Sequence, residues 1–201
     1  RDLLDDLNTF PVPNFNTGAN LANSWAAATH AAQALSPSLR PAEFMGALSR
    51  EVAKFPYGSV GIFLAYGFAA CAEAWGDAPV ASPADLLMAI DAMDQAFKAV
   101  SGSDTWEFGL SRLISTVSEQ LSELELLTLS QVVDTALVCA QEATIDSADA
   151  HGGVGDAGLA GACLIFASLA DLAATAEGDA ATNVSTVQAM LRDWANRSRI
   201  V

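Results

Sequence analysis

Basic residues are scarce and scattered. Nine Lys and Arg stand against 24 Asp and Glu in 201 residues, giving a formal net charge of −15. Nucleic acid binding needs a basic stripe that displaces phosphate counterions, and anionic membrane surfaces need a similar attraction. Both partners are excluded, and the acidity is that of a solvated, self-repelling surface. Cysteines are few. Cys71, Cys139 and Cys163 each sit in an apolar run, with no Cys or His at metal-ligand spacing, so buried free thiols in a reducing compartment are expected. Long hydrophobic runs are lacking too. The two most apolar, Ser59 to Ala72 and Leu159 to Ala170, fall short of the roughly 20 residues of a membrane span, and no membrane insertion is expected. No secretory signal pattern opens the chain, so the expected location is the cytoplasm. No nucleophile–base pair, CxxC, Walker A or dinucleotide fingerprint occurs, and no catalytic residue is assigned.

What is present is alanine, in a composition 52% hydrophobic and 16% charged. Alanine loses no side-chain entropy in a helix and lets helices approach closely. Alternation of β-branched and polar residues is nearly missing, so the fold is expected to be all-α. One domain over residues 1–201 fits this length. The pattern opens in the middle of a helix, with Leu3, Leu4 and Leu7 on one face, which predicts residues ahead of Arg1. Helices are predicted over about Ala19 to Leu35, from Pro41 through Val52, over Ser59 to Trp75, and from Pro83 behind Ser82 as cap. One more follows a cap at Asp104 or Thr105. Others run over about Thr128 to Ile145, over about Ala157 to Ala174, and to near Asn196. Three loops stand out: Phe10 to Gly18, Phe55 to Gly61, and the Gly-rich His151 to Gly158.

The first of these carries Leu7-Asn8-Thr9-Phe10-Pro11-Val12-Pro13, then Thr17-Gly18 and Asn20. This resembles the signature loop LNxFPVPDGDTGTN of the DhaL-type domain, the ATP-binding part of dihydroxyacetone kinases and fatty acid kinases. Gly58-Ser59-Val60-Gly61 is similar to that family's G-N-S-G segment. Ala96-Phe97-Lys98-Ala99-Val100 followed by Thr105 is similar to its A-Y/F-x-A-V helix end. Asp156-Ala157-Gly158 with Gly161 is similar to its D-A-G-G-x-G turn. The resemblance spans essentially the whole chain. It implies an antiparallel helical barrel of about eight helices, with ATP or ADP and Mg²⁺ at one end. The implied nucleotide-binding residues are Thr17, Gly18, Asn20, Gly58, Ser59, Gly61, Thr105, Asp156 and Gly158.

Several positions depart from the family pattern. Asn14-Phe15-Asn16 stand where the family has Asp-Gly-Asp, so the implied metal positions Asn14 and Asn16 are neutral amides. Mg²⁺ is a hard cation that favours anionic oxygen, and losing two carboxylates weakens its binding. Asn8, the other oxygen donor nearby, is neutral as well. Val60 replaces a hydroxyl, with Ser59 next to it, and Asp104 brings a carboxylate beside Thr105.

Each of these positions also has a plainer structural explanation. Asn14 and Asn16 fit ordinary turn asparagines. Gly58 to Gly61 fits either phosphate approach or tight helix packing. Asp156 and Gly158 fit either a nucleotide contact or a helix cap. His30 is placed on a helix, and His151 is read as a solvated loop residue. Trp25, Trp75, Trp106 and Trp194 are read as core or rim, and Asp2, Asp5 and Asp6 as a solvated helix face.

The functional expectation is a DhaL-like nucleotide-binding domain without kinase competence, acting as a binding or regulatory module. It would hold nucleotide weakly or an apolar ligand in the barrel. The alternative is an active ATP- and Mg²⁺-dependent phosphotransferase for a small hydroxy-ketone or fatty acid. The resemblance implies a substrate-carrying partner protein or domain, and it admits a homodimer.

Overall fold

The computed structural model describes residues 2–7, 17–55, 57–101, 109–124, 128–150, 156–177 and 179–198. Among these there are nine helices and no strand. They are α1 (Asp2–Leu7), α2 (Thr17–Ala34), α3 (Pro41–Lys54), α4 (Gly58–Trp75), α5 (Pro83–Ser101), α6 (Leu110–Ser122), α7 (Leu129–Ala150), α8 (Ala157–Glu177) and α9 (Asn183–Ser198). The all-α expectation holds. The count passes eight because the opening Leu stripe forms a helix of its own.

The helix starts follow local chemistry. Ser82 Oγ accepts the Asp85 N–H at 3.2 Å, and the Asp85 carboxylate accepts the Ser82 N–H at 2.8 Å. This reciprocal pair satisfies donors that the first turn of α5 leaves free. Thr128 and Gln131 do the same for α7, at 3.2 and 2.9 Å. The expected cap of α6 at Asp104 or Thr105 is corrected. Gly109 is its N-cap, with φ 120°, a backbone conformation that side chains disfavour.

The start of α9 is capped from another helix. Asp171 of α8 accepts the N–H groups of Asn183 at 2.7 Å and Val184 at 3.0 Å. The bond from Val184 leads the causes that hold its carboxyl below the ordinary aspartate range. The folded-state pKa lies below the unfolded one, so this stabilisation is complete at neutral pH. It is lost as pH falls through the folded-state value. Asp171→Ala should therefore cost about 1 kcal/mol at pH 7, the usual value of a helix cap. Urea titrations at pH 7 and pH 3 should show the difference from wild type shrinking in acid.

Each helix packs on the next in sequence, and α1 packs on α9, which closes a ring. Inside the ring α2 touches α4 and α8, and α6 touches α8. The largest buried cluster lies along α6, α7, α8 and α9, with Leu113, Val117, Leu121, Leu159, Val187 and Leu191 nearly inaccessible. Leu4 and Leu7 anchor α1 to the same cluster. A second cluster joins Ala28, Val52 and Ala65, and a third joins Cys71, Trp75 and Ala89. The Trp75 indole N–H donates to the Asp85 carbonyl at 2.8 Å, which satisfies its polar tip. All three cysteines are buried and free, as expected. Burial pushes the Cys71 and Cys163 thiols up to about 11, so both are protonated near neutrality.

Polar groups pin α5 to α6. Asp94, 5% exposed, accepts from Ser115 Oγ and from Lys98 Nζ, the latter at 2.5 Å. One turn earlier, Asp91 accepts from Ser118 Oγ. A buried carboxylate needs such donors.

One expectation about hydrophobic length is corrected. Residues Ala157–Ala176 of α8 form a 20-residue stretch of mean hydropathy 1.8, long and apolar enough by composition to cross a membrane. Half of it is buried inside the fold. Here α8 packs against α1, α2, α6, α7 and α9. Its apolar character beyond Ala170 was underestimated because Asp171 interrupts the run, and that carboxylate is spent on capping α9.

Candidate functional site

The first residues of α2, α6 and α8, and the first turn of α4, lie at one end of the ring. Thr17, Val60, Leu110, Ala157 and Gly158 all line one cavity there. The resemblance-implied residues that are described therefore gather. Thr17 and Gly158 share this wall, with Gly18 buried beside Thr17. Asn20 is brought against Gly58: a Cβ on Gly58 would lie 2.6 Å from the Asn20 amide nitrogen. Gly58 has φ 63°, so a side chain is barred there twice, by conformation and by space. Gly61 is buried one turn below, its N–H donating to the Tyr57 carbonyl at 3.2 Å. Ser59 lies within α4. Asn8, Asn14, Asn16, Thr105, Trp106 and His151 fall outside the described residues.

Two carboxylates sit at these helix starts. Asp156 Oδ1 accepts the Leu159 N–H at 2.9 Å, which makes Asp156 the N-cap of α8. A Cβ on Gly158 would lie 2.9 Å from that same oxygen, so the glycine makes room for the cap. The Asp156 N–H donates in turn to buried Ser147 Oγ at 3.2 Å. The second carboxylate corrects the reading of Asp5 as part of a solvated face. Asp5 Oδ1 accepts the Ala19 N–H at 3.0 Å and so binds α1 to the start of α2. Residue spacing on α1 gives no sign of this, because the partner lies 14 residues away.

A cavity lies behind this end. It has a volume of about 250 Å³ and lies between α2, α3, α4, α5, α6 and α8. Leu21, Phe63, Phe68, Phe97, Ile114 and Phe166 form much of its wall, and no charged side chain is among the described residues lining it. Cys71 belongs to this wall, and its raised pKa keeps it uncharged. Val60, which stands where the resemblance expects a hydroxyl, contributes to this wall.

No curated protein matches the chain. The DAK2 domain family matches residues 11–171, a span that starts in the Pro-Val-Pro loop and ends at the carboxylate that caps α9. The chain belongs to the DAK2 domain family.

Proposed function

We propose that this DAK2 domain has given up metal-dependent phosphoryl transfer and serves as a binding module. The observation that carries the reading is Asn14-Phe15-Asn16 in place of Asp-Gly-Asp. Phosphoryl transfer from ATP needs Mg²⁺ to bridge and neutralise the phosphates. Two amides supply oxygens without charge, and Mg²⁺ sheds its water reluctantly for such ligands. The helix starts add to this. Free N–H groups at a helix N-terminus attract phosphate, but Asp5 and Asp156 already occupy the N–H groups of Ala19 and Leu159. Their negative charges oppose an incoming phosphate at both helices. Nucleotide binding at this end is therefore weak and indifferent to metal, and any substrate-carrying partner docks without turnover.

Calorimetric titration of ATP, with and without millimolar Mg²⁺, tests this. The expected result is the same weak heat in both. Binding that Mg²⁺ tightens tenfold or more would restore the phosphotransferase reading.

A further inference from the structure

We propose that the outer face of α2 and α8 is the interface of a symmetric homodimer, in which this helix pair of one copy packs on the same pair of a second. The proposal stands whether or not nucleotide binds.

The two helices present one surface. They lie side by side from the same end of the ring, and a Cβ on Gly161 of α8 would lie 2.9 Å from Leu21 Cδ2 of α2. Farther along, Trp25 and Leu169 line one cavity from the two helices, yet they are 42% and 39% exposed, so they flank a single seam. Exposed positions around them keep helical spacing. On α2 these include Ala22, Trp25 and Ala26, and on α8 Leu169, Leu172 and Ala176. Leu172 is 68% exposed.

This face lacks the charges that a surface helix ordinarily turns to solvent. The α2 sequence holds no Asp, Glu, Lys or Arg. In α8, only Asp171 is charged between residues 157 and 176, and its carboxylate is bonded to the first N–H groups of α9. Only half of the most apolar stretch of α8 is buried, so the helix is more apolar than its place in the ring requires.

Charge identifies what covers the face. The chain carries a formal net charge of −15, so two copies repel at long range. A symmetric contact sets each patch against itself, and an acidic patch would meet its own charge. The α2–α8 face brings no such opposition. A bilayer fits less well, because helices that lie on membranes carry Lys and Arg on their polar flank, and neither helix has one. A basic protein would be drawn to the acidic remainder of the surface instead. The size is also adequate. The 18 residues of α2 span about 27 Å, and two helices of ~10 Å diameter give a face of roughly 540 Å² in plan. Side-chain relief brings this to the ~600 Å² per partner at the lower end of specific interfaces. Ala22 and Ala26 let the backbones of the two copies approach closely.

Sedimentation velocity over about 2 to 200 µM protein, at low and at high NaCl, reads the association. We expect a monomer–dimer equilibrium with a micromolar Kd. The dimer should tighten severalfold between about 0.05 and 0.5 M NaCl, because salt screens the repulsion between the acidic bodies and the interface holds no ion pair to weaken. Leu172→Glu and Ala26→Glu test the face from its two helices. Both positions are exposed, so circular dichroism at low concentration should match wild type. Each should weaken the dimer by on the order of tenfold or more, because a symmetric contact carries every substitution twice. Met88→Glu is the control. Met88 is 48% exposed on α5, which packs on α4, α6 and α7, and its replacement should leave the dimer intact. Phosphatidylcholine vesicles should float without the protein. The salt series needs no variant and remains decisive if one fails to fold. The proposal is overturned if the chain stays monomeric throughout, if salt loosens the dimer, or if either folded α2 or α8 variant dimerises as tightly as wild type. Loss of the dimer in Met88→Glu, or monomer that floats with the vesicles, overturns it as well.

Discussion

Replacing Asn14, Phe15 and Asn16 together by Asp, Gly and Asp should tighten Mg²⁺-dependent ATP binding by on the order of a hundredfold. Two unit charges about 4 Å apart are worth about 4 kcal/mol at an effective dielectric near 20. Desolvating each carboxylate returns most of that. If about 1.4 kcal/mol survives per carboxylate, two of them give about 2.8 kcal/mol, or a hundredfold in Kd. Glycine at position 15 removes an aromatic ring from the segment between the two ligands. The gain must depend on the metal, because the added groups are anions that repel ATP without it. Titration of the triple variant at fixed Mg²⁺, and again with a chelator, checks both halves. Equal affinity in variant and wild type would mean that the carboxylates capping α2 and α8, rather than the loop, set the limit.

Leu121→Ala should lower stability by about 3–5 kcal/mol, the range for truncating a fully buried leucine that leaves its cavity open. Leu121 is 0% exposed and lies in the largest buried cluster, where α6 meets α7. The same cluster holds Val117 of α6 and Val133 and Leu137 of α7. They are held by two helices of 13 and 22 residues, so little collapse can refill the space. Urea unfolding followed by circular dichroism gives the value directly. At about 2–4 °C per kcal/mol for a chain of this size, the melting temperature should fall by roughly 10 °C. A loss below 1 kcal/mol would contradict the placement of Leu121 at the centre of the core.

The helices were legible wherever local chemistry sets their ends. Pro41 and Pro83 open α3 and α5, Gly76 ends α4, and Thr128 caps α7, all near the predicted places. The family motif was legible because a Phe-Pro-Val-Pro run before Thr-Gly is more specific than turn chemistry. The rest depended on partners distant in sequence. Asp5 finds the α2 backbone, Asp94 finds Ser115 on α6, and Asp171 finds α9. In a linear reading these carboxylates look like any solvated acid on a helix. Which residues line the cavity was hidden for a different reason. Phe63, Gly67 and Ile165 fit a stripe of core residues, and periodicity reports that a face is apolar without saying whether the opposite wall touches it.

The closure of the ring by α1 against α9 bears on how the chain acquires this shape. Most helix pairs in contact are neighbours in sequence, so most of the structure forms through short loops at small entropic cost. Contacts between sequence neighbours favour rapid folding. The contacts of α1 with α8 and α9, like that of α2 with α8, are exceptions, because most of the chain lies between the partners. These contacts favour an assembly in which a row of paired helices forms before the long-range contacts of α1 close it. When Leu4 and Leu7 seat, the Asp5 carboxylate arrives at the start of α2, so closing the ring and capping that helix are one event.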